Sequence, residues 1–144
     1  MKFNVDIDAK SFFAEMKRID RNVARAVERA MEDIVDELIR IASEITPFDK
    51  GILQKSHSHK INVGKNGIEA SVEFSVKEGD FNYALWIHEG IYNYGSGTMR
   101  RAGTIGWSGK RYYAGRKYLE RPLKGEQEAF FNHIAKEVRK AIGG

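Results

Sequence analysis

The chain has 144 residues, of which 42% are hydrophobic and 31% are charged, and its formal net charge is +4 at pH 7. This size and composition are typical of one soluble globular domain with its own apolar core. The absence of cysteine excludes a disulfide framework, a zinc–thiolate site and a thiol nucleophile. MKFNVDIDAK at the N-terminus lacks the apolar core of a signal peptide, and no window predicts a membrane span, so we expect assembly in the cytoplasm.

The first predicted elements are a short strand and a long amphipathic helix. Apolar and polar residues alternate in KFNVDI, which predicts the strand. The helix is predicted from about Ala9 to Ile45, because apolar residues recur there at a mean spacing of about 3.7 positions. They are Phe12, Met16, Ile19, Val23, Val27, Ala30, Ile34, Leu38, Ile41 and Ile45. A helix of this length would span roughly 55 Å, so its apolar stripe serves either as core alone or as core and subunit contact.

The polar residues of this helix predict a solvated face. They are Glu28, Arg29, Glu32, Asp33, Asp36, Glu37 and Arg40. Pro47 ends the helix, because proline removes a backbone donor and pushes the residue before it out of the helical region.

A β-hairpin is predicted next. Ser56 to Val63 and Ile68 to Val76 alternate apolar and polar residues, and the Asn66-Gly67 pair between them suits a tight turn. YALWIHEG, from Tyr83 to Gly90, is then either a third strand or a short helical turn.

Histidines in this region raise two chemical possibilities. His57 and His59 share one face of the predicted strand, but the spacing supplies no third metal ligand, so we predict no metal site and no cofactor. His88 and Glu89 would form the acid–base pair of a small hydrolase. No nucleophile motif, phosphate-binding glycine loop or carboxylate cluster accompanies them, and we therefore expect no enzyme.

A long basic segment follows. Ile91 to Lys117 holds six glycines and no sustained period, which predicts a flexible loop. Its second part, from Arg100 to Lys117, contains six cations and no Asp or Glu. We expect a surface that faces a partner or DNA, formed by Arg100, Arg101, Trp107, Lys110, Arg111, Tyr112, Tyr113, Arg116 and Lys117. Cations interleaved with aromatic residues are typical of nucleic-acid contacts and of protein docking, and the sequence does not choose between them.

A second helix is predicted from about Pro122, with apolar residues at helical spacing: Leu123, Phe130, Phe131, Ile134, Val138 and Ile142. The whole pattern predicts a single α+β domain over residues 1–144. In this domain a long N-terminal helix and a C-terminal helix pack on a small antiparallel sheet, with a flexible basic loop at about residues 91–117.

Three short stretches carry closely spaced residues that turn chemistry alone does not explain: TPFDKGILQKS, YALWIHEG and AGRKYLERPLKG. In order and spacing they resemble three signatures of a family of tailed-phage neck proteins, known as minor capsid, tail-completion or head–tail joining proteins. The resemblance covers essentially the whole chain. The matching residues are Thr46, Pro47, Asp49, Gly51, Leu53 and Ser56, then Tyr83, Ala84, Glu89 and Gly90, and finally Tyr118, Leu119 and Pro122.

The resemblance implies a structural role without catalysis. Proteins of this family form a ring at the virion neck, between the head and the tail of a phage or prophage particle. The expected partners are other copies of the chain, adjacent head-completion and tail proteins, and, by non-specific contact, genomic DNA in the channel. The alternative function is that of a nucleic-acid-binding protein that uses the basic aromatic loop at residues 100–117.

Overall fold

The computed structural model describes residues 2–7, 21–46, 57–64, 67–74, 77–78, 81–82, 88–89 and 103–143. Within these ranges the fold is α+β, as predicted: long helices near both ends of the chain pack with a small antiparallel sheet. None of the helices in these ranges is long and apolar enough to cross a membrane. The predicted helical residues Ala9 to Asp20 lie outside the described ranges.

The sheet has three antiparallel strands in the order β1–β3–β2. They are β1 (Lys2–Ile7), β2 (His57–Gly64) and β3 (Gly67–Phe74). The predicted N-terminal strand and the predicted hairpin are therefore confirmed. Ala70 of β3 sets the register, since it lies opposite Val5 on one side and Ile61 on the other. Two further short strands, β4 (Lys77–Glu78) and β5 (Phe81–Asn82), pair with each other.

Helix α1 (Arg21–Ile45) ends where Pro47 predicts it to end. At this end of the helix, the backbone N–H of Thr46 donates a hydrogen bond to the carbonyl of Ala42, at 3.0 Å. All apolar residues of α1 except the half-buried Ala24 are buried, because the sheet covers one part of the helix and the C-terminal helix covers another. Between Arg21 and Ile45 the apolar stripe is thus used as core and leaves no apolar row for a partner.

The C-terminal helix is interrupted, which the sequence pattern does not predict. Helix α2 (Glu120–Gly125) begins two residues before Pro122, and helix α3 (Gln127–Gly143) follows it. Glu126 separates them with φ −99° and ψ 5°. Helix α3 packs along α1 through Phe130, Ile134 and Val138, which are buried.

Within residues 103–117 the basic segment contains a short β-hairpin, where the sequence predicts an irregular, flexible loop. Strands β6 (Thr104–Ile105) and β7 (Arg111–Tyr112) pair antiparallel around a turn that contains Gly109, whose φ of 86° favours glycine. We call residues 104–112 the basic hairpin. It lies against α1, and the predicted loop residues before 103 lie outside the described ranges.

Candidate functional site

Described residues of the second and third motif stretches meet the end of α1, beside the start of the first stretch, at one place. We call it the motif corner: Ile45, Thr46, His88, Glu89 and residues 115–119. The N–H of Gly115 donates to the carbonyl of Ile45 at 2.9 Å, and the N–H of Lys117 donates to the carbonyl of His88 at 2.6 Å. These bonds connect segments that lie far apart in the sequence, so the second and third stretches and the end of α1 form one structural unit.

Most motif residues in the described ranges are internal. Thr46, Tyr118 and Leu119 are completely buried, and Pro122 is buried in α2. Glu89 is the partly exposed member, with 37% of its side chain accessible. The remaining motif residues lie outside the described ranges: Pro47, Asp49, Gly51, Leu53, Ser56, Tyr83, Ala84 and Gly90.

His88 is the polar centre of the motif corner. Only 1% of it is exposed, and its ring meets the Tyr118 ring edge-on with 5.0 Å between centroids. The N–H of Glu120 donates to Nε2 at 3.4 Å, and Nδ1 lies 3.3 Å from Oε1 of Glu89. Burial lowers the pKa of His88, more than the hydrogen bond to Glu89 raises it. The neutral tautomer that fits carries its proton on Nδ1 and donates it to Glu89.

This geometry is relevant to the alternative in which His88 is the general base of a small hydrolase. A general base needs a nitrogen that can reach a substrate proton. Both ring nitrogens of His88 already have partners within the chain, and the ring has almost no solvent access. His88 therefore acts as a packing and hydrogen-bonding residue that joins Glu89 to the start of α2.

Lys117 lies at the solvent-facing side of the motif corner and pairs with two nearby carboxylates. Its backbone φ is 56°, a left-handed conformation that a lysine rarely adopts. Its ammonium group lies 2.5 Å from Glu89 and 3.8 Å from Glu120. The hydrogen bond with Lys117 lowers the pKa of Glu89, and the same bond raises the pKa of Lys117. The pKa of Glu120 is lowered chiefly by its hydrogen bond to Lys124.

Arg40 of α1 attaches the basic hairpin to the helix. Its guanidinium donates to both carboxylate oxygens of Glu37, at 2.5 and 3.1 Å. It also donates to Oγ1 of Thr104 at 2.8 Å and to the carbonyl of Ile105 at 2.7 Å. Glu37 is 5% exposed, so the prediction that it belongs to a solvated face is wrong, whereas Arg40 is exposed with 44% of its side chain accessible. A carboxylate can be buried here because a guanidinium pairs with it through two bonds.

Glu126 attaches the hairpin from the other side. The residue is completely buried, at the interruption between α2 and α3. Its carboxylate accepts hydrogen bonds from the N–H of Ser108 at 2.9 Å, from the Ser108 hydroxyl, and from the Tyr112 hydroxyl at 2.7 Å. Lys110 adds a bond to the carbonyl of Gly125 at 2.9 Å. The helix interruption thus supplies the acceptors that fix the hairpin.

The residues of the predicted basic surface differ in their exposure in the structure. Five of its residues are exposed: Trp107, Lys110, Arg111, Tyr113 and Arg116. Tyr112 is instead 7% exposed and bonded to Glu126, whereas Lys117 is paired with Glu89 in the motif corner. Arg100 and Arg101 lie outside the described ranges.

Sequence reasoning missed Arg40, Ser108 and Glu126 as functional residues of the hairpin. The one local signal is Gly125, which weakens a helix directly before Glu126. No group of three or more His, Asp or Glu side chains in the described ranges could hold a metal ion. His57 and His59 lie in β2, and the absence of a metal site there stays a prediction.

Comparison of the chain with protein-family models, with curated proteins and with solved structures gives no match. The function is therefore argued from the residues of the chain and their arrangement.

Proposed function

We propose that this chain is a non-enzymatic structural protein of a phage or prophage virion, which joins head to tail or completes the tail as part of a ring at the neck. The observation that carries the proposal is the motif corner. Residues of the second and third stretches, each similar to a signature of neck proteins, are bonded to each other there, and Gly115 of the third stretch is bonded to Ile45, which directly precedes the first. Such convergence is expected of signatures that define one fold, and chance matches have no reason to meet.

The chemistry of the corner supports a structural role. Its polar groups are used for internal contacts: His88 bridges Glu89 and the start of α2, and Lys117 pairs with Glu89 and Glu120. Both carboxylate oxygens of Glu89, the partly exposed acidic residue of the corner, already have partners within the chain, Oε1 with His88 and Oε2 with Lys117.

The surface that we assign to assembly is formed by the basic hairpin and α3. The apolar residues of α1 are used inside the chain over Arg21–Ile45, so partner contacts require other residues. Phe131 and Ile142 of α3 are 41% and 63% exposed, and Tyr113 beside the hairpin is 63% exposed. Phe131 and Ile142 are separated by eleven positions, about three helical turns, and hence lie on the same side of α3, with the buried Val138 between them. A ring requires two different surfaces that meet by rotation, and these two exposed apolar side chains supply one candidate contact.

The test is deletion of the gene from the parent phage or induced prophage, followed by electron microscopy of the lysate. DNA-filled heads and finished tails that lie separately would support the joining role, and tails of abnormal length or termination would support tail completion. Intact, joined particles would overturn the proposal.

Complementation of the deletion then tests the assembly surface. We expect that a plasmid copy with Phe131→Asp and Ile142→Asp fails to restore joined particles although the purified protein folds. Gln127→Glu is the control, since it adds a negative charge at an exposed position of the same helix and should complement. Full complementation by the double variant would remove α3 from the assembly surface.

A further inference from the structure

A groove lies between the basic hairpin and the outer face of α3. Its volume is about 570 Å³, within the range of small-ligand sites. The hairpin contributes Trp107 and Lys110 to the lining, and α3 contributes Asn132, His133 and Lys136. The motif corner uses none of these residues.

Trp107 forms a rigid wall of the groove. Its ring meets Phe130 edge-on, with 5.7 Å between centroids and an interplanar angle of 88°, and meets His133 at 4.8 Å. His133 is itself held by Asp33 of α1, at 2.9 Å from Nε2 to Oδ2. Trp107 nevertheless remains 45% exposed. An aromatic ring that is fixed by its neighbours and open to solvent is a ready platform for stacking.

The polar lining favours an anionic ligand. Lys110 donates one of its three ammonium hydrogens to the carbonyl of Gly125, which leaves two for a ligand. Lys136 has no carboxylate partner among the described residues. The lining also contains one carboxylate, that of Glu128, on the same face of α3 as Lys136. Asn132 precedes Lys136 by four residues on the same helix face and can both donate and accept hydrogen bonds.

We propose that this groove binds single-stranded nucleic acid, with a base stacked on Trp107 and phosphates held by Lys110 and Lys136. An acidic peptide would satisfy the two lysines but would leave the aromatic platform unused. A duplex would offer phosphates but keeps its bases stacked on each other. A single strand supplies both the anion and the free aromatic face. This binding goes beyond the proposed joining role and does not depend on it.

The direct test uses Trp107 as its own reporter. The chain has two tryptophans, so the full-length protein with Trp86→Phe isolates the fluorescence of Trp107. Addition of an oligothymidine of about eight nucleotides at low salt should quench this fluorescence, and the quenching should decrease as the salt concentration is raised. No quenching by the oligomer, equal quenching by a duplex of the same length, or tighter binding of poly-glutamate would each overturn the proposal.

Fluorescence anisotropy of labelled oligothymidine with the otherwise unaltered protein tests the same point without Trp86→Phe. Trp107→Ala should weaken binding roughly tenfold, because one stacked base is lost. Lys110→Gln with Lys136→Gln should lower the slope of log affinity against log salt by about 1.4, since each phosphate contact on a single strand contributes about 0.7.

The matched control is Lys124→Gln with Lys140→Gln. These two lysines lie outside the groove lining, are paired with Glu120 and Glu137, and carry the same total charge. The control should keep most of the salt slope. Equal loss of slope in both double variants would mean that net charge, and not the groove, determines binding, and would overturn the assignment. Circular dichroism of each variant verifies that it is folded.

Discussion

The hydroxyl of Tyr112 donates a hydrogen bond of 2.7 Å to the completely buried carboxylate of Glu126. This bond joins the second strand of the basic hairpin to the interruption between α2 and α3. Burial raises the pKa of Tyr112, and the bond to Glu126 raises it further, so the phenol stays protonated and remains a donor. The exposed cations of the hairpin are thus held in place by a polar contact in the interior.

Tyr112→Phe should reduce the free energy of unfolding by about 1–2 kcal/mol, because it leaves a buried carboxylate with one donor fewer. The measurement is urea denaturation followed by circular dichroism. Tyr113→Phe removes the same hydroxyl from a neighbouring residue that is 63% exposed, and it should change stability by less than about 0.5 kcal/mol. Equal stability of the two variants would show that the bond to Glu126 contributes nothing.

Gly106→Ala should also loosen the hairpin. A methyl group at Gly106 would overlap the carboxylate of Glu126, which cannot move aside without losing its bonds to Ser108 and Tyr112. We expect a loss of about 1–3 kcal/mol in unfolding free energy, the usual cost of overpacking. Gly143→Ala is the control, since a methyl group there meets nothing within 4 Å. A stability equal to that of the control would contradict the close packing around Glu126.

Arg40→Lys should separate the basic hairpin from α1 while preserving the charge. A lysine cannot reproduce the guanidinium fork that reaches Glu37, Thr104 and Ile105 together. We expect a loss of about 1–2 kcal/mol in unfolding free energy and faster amide exchange in the hairpin. Arg29→Lys is the matched control on an exposed position of the same helix. Unchanged exchange in Arg40→Lys would mean that the hairpin is held by Glu126 alone.

The predictable parts of this fold are those specified by local pattern. The end of α1 follows from Pro47, and the strands β1, β2 and β3 follow from alternation of apolar and polar residues. These patterns involve residues that are close together in the sequence, so they can be recognised without knowledge of the tertiary structure.

The basic hairpin was beyond such reasoning because distant residues fix it. Its strands are two residues long, too short for a period, and its anchors lie 64 positions away at Arg40 and 14 positions away at Glu126. The same holds for the candidate site. Composition predicts a cationic surface over residues 100–117, but the burial of Tyr112 and the pairing of Lys117 with Glu89 depend on tertiary contacts.

The motif corner should make stability depend on pH in two separate intervals. The pKa of His88 is lowered from its ordinary value of 6.5 by burial, against the opposing effect of Glu89 and together with that of Lys117. At pH values between 6.5 and the lowered pKa of the folded state, His88 binds a proton in the unfolded chain but not in the folded chain. Unfolding therefore takes up a proton, and stability falls as pH decreases through this interval, by at most about 1.4 kcal/mol per pH unit.

The carboxylates of the corner act at lower pH. The pKa values of Glu89 and Glu120 are lowered from 4.5, so their contribution is complete above that pH and is lost as pH falls below it. Between pH 6.5 and 5, the difference in unfolding free energy between the native protein and His88→Gln thus reports on the titration of His88, since every other titratable group is present in both proteins.

The measurement is the free energy of unfolding by urea at several pH values from 7.5 to 5. His88→Gln should be less stable at pH 7.5, because it loses the contacts with Tyr118 and with the N–H of Glu120, and its profile should be flatter below pH 6.5. Arg29→Lys, an exposed substitution on α1 that keeps the charge and lies outside the corner, should retain the slope of the native protein. Parallel profiles for the native protein and His88→Gln would mean that His88 titrates alike in both states, and the buried neutral imidazole at the centre of the corner would have to be abandoned.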